Sequence, residues 1–300
     1  MISFSTVNAF ELLLANCRRE LPALDEDKLL SRAAMLLPTL KAALDFQLPV
    51  RSVYALGAAI ERVHGVPGRS TFARALIAYL ALKQIGHLNR AALPPSVLAL
   101  YPGAYERLVD YLNENADASY WVGQDAFLKD MRMVGGYSVP CGAQDVDLIG
   151  TISKGSGLKA VVKWGEVRKG WTIFRSGGPS WFNIHTDQRY TEDFNEAGWD
   201  RCYVRIADLL TLHPDVKGMV GTSWFYDPQI ITVSPRLAYL QSNPVMRGAF
   251  LIPHGPGAIH TERATQKSSS RRELFEKGKY LPVCYSLVWQ RDAMIAWAKK

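Results

Sequence analysis

From residue 1 to about residue 120, apolar positions recur at helical spacing. Phe10-Glu11-Leu12-Leu13-Leu14 opens the series, Asp25 is placed to cap a helix over Lys28–Leu37, and Val53–Val63 runs into Gly65, a helix-ending residue. A further helix starts at Ser70 or Thr71 and carries Phe72, Leu76, Tyr79, Leu80 and Lys83, and Tyr105, Leu108, Val109 and Leu112 repeat the pattern. After Tyr120 the period shortens. Runs of β-branched and aromatic residues bounded by glycine predict four strands, Tyr137–Ile149, Leu158–Val167, Trp171–Arg175 and Trp181–Thr186, with Arg168-Lys169-Gly170 as a hairpin turn between two of them. Helical spacing returns at Trp199, Tyr203, Ile206 and Leu210 and stops at His213-Pro214. Then follow a strand at Met219–Tyr226, a short helix from Ser234-Pro235, a strand at Ala249–Pro253, a helix near Ser270–Lys277, a strand at Val283–Trp289 and a closing helix. The expected class is α+β: a mixed, largely antiparallel sheet with packed helices over 121–300, preceded by an all-helical domain over 1–120.

Composition sharpens that boundary. All eight tryptophans lie after residue 120, and only Gly57, Gly65, Gly68, Gly86 and Gly103 among the 23 glycines precede it. A chain of 300 residues that is 48% hydrophobic and 21% charged can bury a large core, which excludes fibrous and wholly disordered classes. No apolar run is long enough for a membrane-spanning helix, and Met1–Ser5 has no basic region ahead of an apolar stretch, so the expected address is the cytoplasm. Cys17, Cys141, Cys202 and Cys284 are far apart and read as buried free thiols. Of the net charge of +7, most sits in the second part, with Lys267, Arg271, Arg272, Lys277 and Lys279 near its end. Such a cluster attracts anions, but no nucleic-acid reader fold accompanies it.

Candidate chemistry gathers at four places. His185-Thr186-Asp187 ends a predicted strand, where residues two apart share a face. With His260 these side chains would supply two imidazoles and one carboxylate, a set suited to non-haem iron, and Arg271 follows eleven positions on. This spacing resembles that of the Fe(II)/2-oxoglutarate-dependent dioxygenases, which implies His185, Asp187 and His260 as iron ligands and an arginine holding the co-substrate. Gly221-Thr222-Ser223-Trp224-Phe225-Tyr226-Asp227-Pro228 ends another strand, where Tyr226 can exchange a proton and Asp227 fix the turn. His254-Gly255-Pro256-Gly257 reads first as a turn and alternatively as a loop in close approach to a ligand, and Tyr285 lies on the last strand.

The order of elements after residue 130 is similar to that of the GNAT-type acyltransferases, which hold an acyl-thioester arm between two splayed strands. In that comparison His185 ends the fourth strand, Phe194–Leu212 is the helix that follows, and Met219–Tyr226 is the fifth strand. The resemblance implies acyl transfer from a thioester to an amine or hydroxyl of a small molecule, with His185 or Asp187 as base, Tyr226 or Tyr285 as proton donor, and Arg271 and Arg272 toward the donor. The turn before the helix holds Glu192, Asp193 and Glu196 and the single glycine Gly198, a composition that stabilises a helix start and repels phosphate. The donor expected is therefore an acyl-coenzyme A or, better suited to that turn, an acidic acyl carrier. A third expectation is a non-enzymatic chain whose helical part docks onto a partner. Phosphate-loop, nucleophile-elbow, dinucleotide and zinc-protease motifs are missing.

Overall fold

A computed structural model describes residues 2–24, 27–39, 47–88, 92–115, 119–187, 189 and 191–299. Asp25, the expected cap, lies outside the described residues. The chain divides into two compact units, the first formed by 1–141 with 147–149, the second by 142–146 with 150–300.

The first unit is built on helices α1 (Phe4–Glu20), α2 (Asp27–Met35), α3 (Leu48–Ile85), α4 (Pro95–Leu98), α5 (Tyr101–Glu114) and α6 (Asp125–Val134). Ser3 caps α1 by accepting from the Thr6 amide, which satisfies one of the donors a helix start leaves open. Helix α3 is two helices joined at Gly65, whose φ of 71° breaks the helical path where the sequence predicted a stop. The second half buries Phe72, Leu76, Ile77 and Leu80. Against them α1 brings Phe10, edge-on to Tyr105 of α5 at 5.7 Å between ring centres. Arg74, buried in α3, donates to Glu20 at 2.6 Å, and Arg132 of α6 donates to Asp147 at 2.8 Å with both side chains 2% exposed.

Among the described residues six strands form a mixed sheet. They are β1 (Ser138–Pro140), β2 (Asp145–Ile152), β3 (Gly178–His185), β4 (Gly218–Ser223), β5 (Phe250–Pro256) and β6 (Val283–Gln290), in the order β1-β2-β3-β4-β6-β5. Strands β3 and β4 are parallel and joined by α9 (Glu196–Leu212), while the pair α7 (Lys154–Trp164) and α8 (Val167–Ser176) connects β2 to β3. Strand β6 is antiparallel to β4 and to β5. The remaining helices are α10 (Ile230–Val233), α11 (Tyr239–Met246), α12 (Ala258–Thr265), α13 (Ser269–Glu276) and α14 (Arg291–Ala298).

The α+β class expected from the sequence is present, and so are α9, the strands near 181, 219, 250 and 283, and the helices near 270 and 291. The four cysteines are buried and none of them is in a disulfide. Two expected strands are overturned: Leu158–Val167 and Trp171–Arg175 fall in α7 and α8, and the expected turn at Arg168-Lys169-Gly170 lies inside α8. The reversal comes three residues earlier, at Gly165, which closes α7 in the left-handed conformation at φ 68°. Gly157 and Gly170 let the two helices touch. A Cβ on Gly157 would stand 2.7 Å from the Gly170 carbonyl oxygen, so only glycine fits the crossing. Ala160 and Ile173 point from this hairpin into a core with Ile152, Trp181, Val220, Ile252 and Val288, and so cover one face of the sheet. Helix α9 packs against α14, with Tyr203 edge-on to Trp289 at 5.3 Å. Residues 258–265, to which the sequence pattern assigns no element, form α12.

Candidate functional site

Side-chain alternation along a strand decides which residues meet above the sheet. In the ladders, Asn183 of β3 pairs with Val220 of β4, Val220 with Val288 of β6, and Val288 with Phe250 of β5, so these four share a face. Two residues further along lie His185, Thr222, Ser286 and Ile252 on that face. His254, two residues beyond Ile252, reaches Ser286 from the same face, at a register irregularity between Pro253 and Gly255. The result is a polar row crossing the sheet at the C-terminal ends of the parallel strands β3 and β4, the position where open sheets carrying parallel strands commonly place their sites.

Within that row the contacts are short. Ser286 Oγ stands 2.7 Å from His254 Nε2 and 2.6 Å from Thr222 Oγ1. When the imidazole carries its proton on Nδ1, Ser286 donates to His254 and accepts from Thr222. The hydroxyls then link a solvent-exposed group, Thr222, through a buried one, Ser286, to a half-buried imidazole. Lys159 Nζ of α7 donates to the His254 carbonyl at 3.0 Å. Burial, aided by the charges of Lys159 and His260, holds the His254 imidazole below its ordinary pKa, so it is neutral at neutral pH and able to take a proton.

The residues expected from the sequence are distributed around this row. His185 belongs to it, as the last residue of β3. Asp187 follows the strand and is engaged by Arg189, whose Nη2 donates to it at 2.6 Å and whose backbone N–H donates at 2.9 Å. His260 is on α12. Among the described residues no three histidine, cysteine or carboxylate side chains are grouped to hold a metal ion, so His185, Asp187 and His260 are not assembled as an iron-binding set.

Tyr226 lies in a short 3-10 turn (Trp224–Tyr226) after β4, with its hydroxyl under the sheet. A Cβ on Gly221 would meet that hydroxyl at 2.9 Å, which places it on the α9 face, opposite Thr222. The Tyr226 and Tyr203 hydroxyls are buried beside each other, and burial raises both above the ordinary phenol range. Tyr285 also points away from Ser286, its neighbour in β6. Asp227 fixes the turn as expected, accepting from the Gln229 amide at 3.0 Å and the Val283 amide at 2.9 Å, which ties the start of β6 to the end of β4.

Arg271 is occupied within the fold. It is 4% exposed, donates to the Ala264 carbonyl at 2.6 Å and to Ser234 Oγ at 3.0 Å, and lies over the Trp224 ring at 4.7 Å. Arg272 is exposed and donates to the Gln266 carbonyl at 2.8 Å. The open pocket at this end of the molecule is lined by Arg236 and Lys267 with Ser268–Ser270. At the start of α9, Asn195 caps the Gly198 amide at 2.9 Å and Asp193 pairs with Arg201 at 2.6 Å. That helix end is closed by its own side chains.

Sequence reading missed Ser286, and reached Thr222 and His254 only as members of the candidate segments 221–228 and 254–257, with no role given to either side chain. No spacing signals them, because they come from three strands and meet only through register. Searches against protein-family models, curated proteins and solved structures find no match to this chain.

Proposed function

We propose that the second unit is an acyltransferase that moves an acyl group from a thioester donor to an amine or hydroxyl of a small molecule. The observation that carries the reading is the Thr222–Ser286–His254 chain, with contacts of 2.6 and 2.7 Å and a neutral imidazole at its end. Strand order supports it further. Pairing between β3 and β4 runs from Phe182–Met219 to Ile184–Gly221, whereas β4 continues to Ser223 opposite Tyr285 of β6. The side of Thr222 and Ser223 that faces β3 therefore lies past that ladder, where the backbone can meet an extended thioester arm.

In the reaction the acceptor nitrogen or oxygen bonds to the thioester carbonyl carbon and the carbon–sulfur bond breaks. The acceptor proton passes to Thr222 as Thr222 gives its own to Ser286 and Ser286 gives its own to His254, so each hydroxyl ends as it began. The imidazolium returns the proton to the departing thiolate. His185 lines the same row and would orient the acceptor. The closed start of α9 favours an acyl carrier protein over a donor gripped by its pyrophosphate.

The test is thiol release. Purified protein is offered acetyl- and longer acyl-coenzyme A and acyl carriers, each with a panel of amines. Acceptor-dependent release that is lost in His254→Gln supports the assignment. Absence of release from every donor, or full turnover in His254→Gln, overturns it; the first of these outcomes favours a partner-binding role.

A further inference from the structure

The α7–α8 hairpin is inverted relative to an ordinary surface helix pair. Its buried contacts are small or few: Gly157, Ala160, Gly170 and Ile173. Its large apolar side chains stand outward. Leu158 is 61% exposed, Val162 78%, Val167 64%, Trp171 59% and Phe174 50%, and Trp164 is more than one-third exposed. Trp171 and Phe174 stack on each other at 5.7 Å. Isolated exposed apolar residues are ordinary, but a continuous set of aromatic and aliphatic ones marks an interaction surface.

Charge says what covers it. Residues 154–176 contain six lysines and arginines and one acid, Glu166. That acid is paired with Lys169 at 2.9 Å. Lys154, Lys159, Lys163, Arg168 and Arg175 are exposed around the apolar set, and the first and third lie near the Phe174 and Trp164 rings. A second copy of the same surface would bring like charge against like. Aliphatic side chains that project singly from two convex helices, with tryptophan and lysine at their margin, suit a deformable apolar phase beneath anionic headgroups. Helices of 11 and 10 residues are far too short to cross a bilayer, and no described helix is long and apolar enough to do so.

We infer that the α7–α8 hairpin docks the protein on the surface of a bilayer carrying anionic lipid headgroups, lying in the interface with Val162, Val167, Trp171 and Phe174 inserted among the lipids. The inference does not depend on the proposed acyl transfer.

The experiment is co-sedimentation of the full chain with vesicles of phosphatidylglycerol and phosphatidylcholine, against vesicles of phosphatidylcholine alone. Quenching of tryptophan emission by brominated acyl chains reports insertion, with Trp171→Phe identifying the contribution of Trp171. Two double variants, Trp171→Ser with Phe174→Ser and Arg168→Glu with Arg175→Glu, change only exposed side chains, and thermal melting checks that each is folded. Salt-sensitive binding to the anionic vesicles, with quenching, is expected. Each double variant should weaken that binding by about tenfold or more, the scale set by losing two basic or two interfacial aromatic contacts. Binding that is absent, or unchanged in the folded Trp171→Ser, Phe174→Ser variant, overturns the inference. So does a patch that instead drives self-association or capture of an acidic carrier while leaving vesicles untouched.

Discussion

Ser286 Oγ lies 2.7 Å from His254 Nε2, although the two residues are 32 positions apart and come from neighbouring antiparallel strands. The contact arises because β6 pairs with β5 over Phe250–Val288 to Pro256–Val283, and alternation from Ile252, which lies opposite Ser286, puts His254 on the same face. Replacing Ser286 by alanine interrupts the path between Thr222 and His254 while removing a single atom. Turnover in Ser286→Ala and His254→Gln should fall by about 10²–10⁴-fold, the usual contribution of positioned proton transfer. Steady-state thiol release at saturating donor is the measurement, and equal rates in Ser286→Ala and the parent would dismiss the relay.

The imidazole of His254 also sets a pH dependence. Burial, then the charges of Lys159 and His260, lowers its pKa from the ordinary value near 6.5. A base acts in its neutral form, so the rate should rise with pH through a midpoint below 6.5 and be level at neutrality. Stability follows the same sign. The unfolded chain binds this proton more readily than the folded one, so the contribution is complete above the unfolded pKa and is lost as pH falls toward the folded pKa. In His254→Asn the slope of unfolding free energy against pH over that window should diminish, as chemical denaturation at a series of pH values will report.

In the first unit the Arg132–Asp147 pair is buried on both sides, with Nε to Oδ1 at 2.8 Å. Removing the carboxylate leaves a buried guanidinium without its facing charge. Asp147→Ala should therefore cost about 3–5 kcal/mol. Urea denaturation followed by circular dichroism measures it, and replacement of both residues by apolar ones of similar volume should cost much less than the single change.

Gly157→Ala tests the helix crossing. Its new methyl group would stand 2.7 Å from the Gly170 carbonyl oxygen and 3.0 Å from Ile173, both fixed parts of the hairpin. Overpacking of this kind costs about 1–3 kcal/mol, more than the gain in helix propensity from alanine returns. A lowered melting temperature is expected, with the first-unit variant Asp147→Ala as an independent reference for scale.

The pattern of apolar positions was a good guide wherever large side chains face inward. Trp199, Tyr203, Ile206 and Leu210 mark one buried stripe of α9, and the structure places each of them inside. It misled at 154–176 for the same physical reason in reverse. There the inward face is glycine and alanine with a lone isoleucine, and the valines and tryptophans that resemble strand residues point out. A reading that equates bulk with burial turns such a helix pair into two strands. Of the site, His185 was legible as a side chain, Thr222 and His254 only as parts of candidate segments, and Ser286 not at all. Thr222, Ser286 and His254 carry no shared motif, since strand order and register, neither of which leaves a local spacing, bring them together.

Strand β6 follows every other strand in the chain yet lies inside the sheet, between β4 and β5. During synthesis, β4 and β5 emerge first and each waits with an unpaired edge until 283–290 leave the ribosome. Pairing β4 with β6 spans more than sixty residues, as Thr222 opposite Ser286 shows, and such long-range closure is slow compared with helix formation. The hydroxyl relay thus forms only once the last strand has emerged, and a nascent chain that has not reached Ser286 has neither the relay nor a closed sheet.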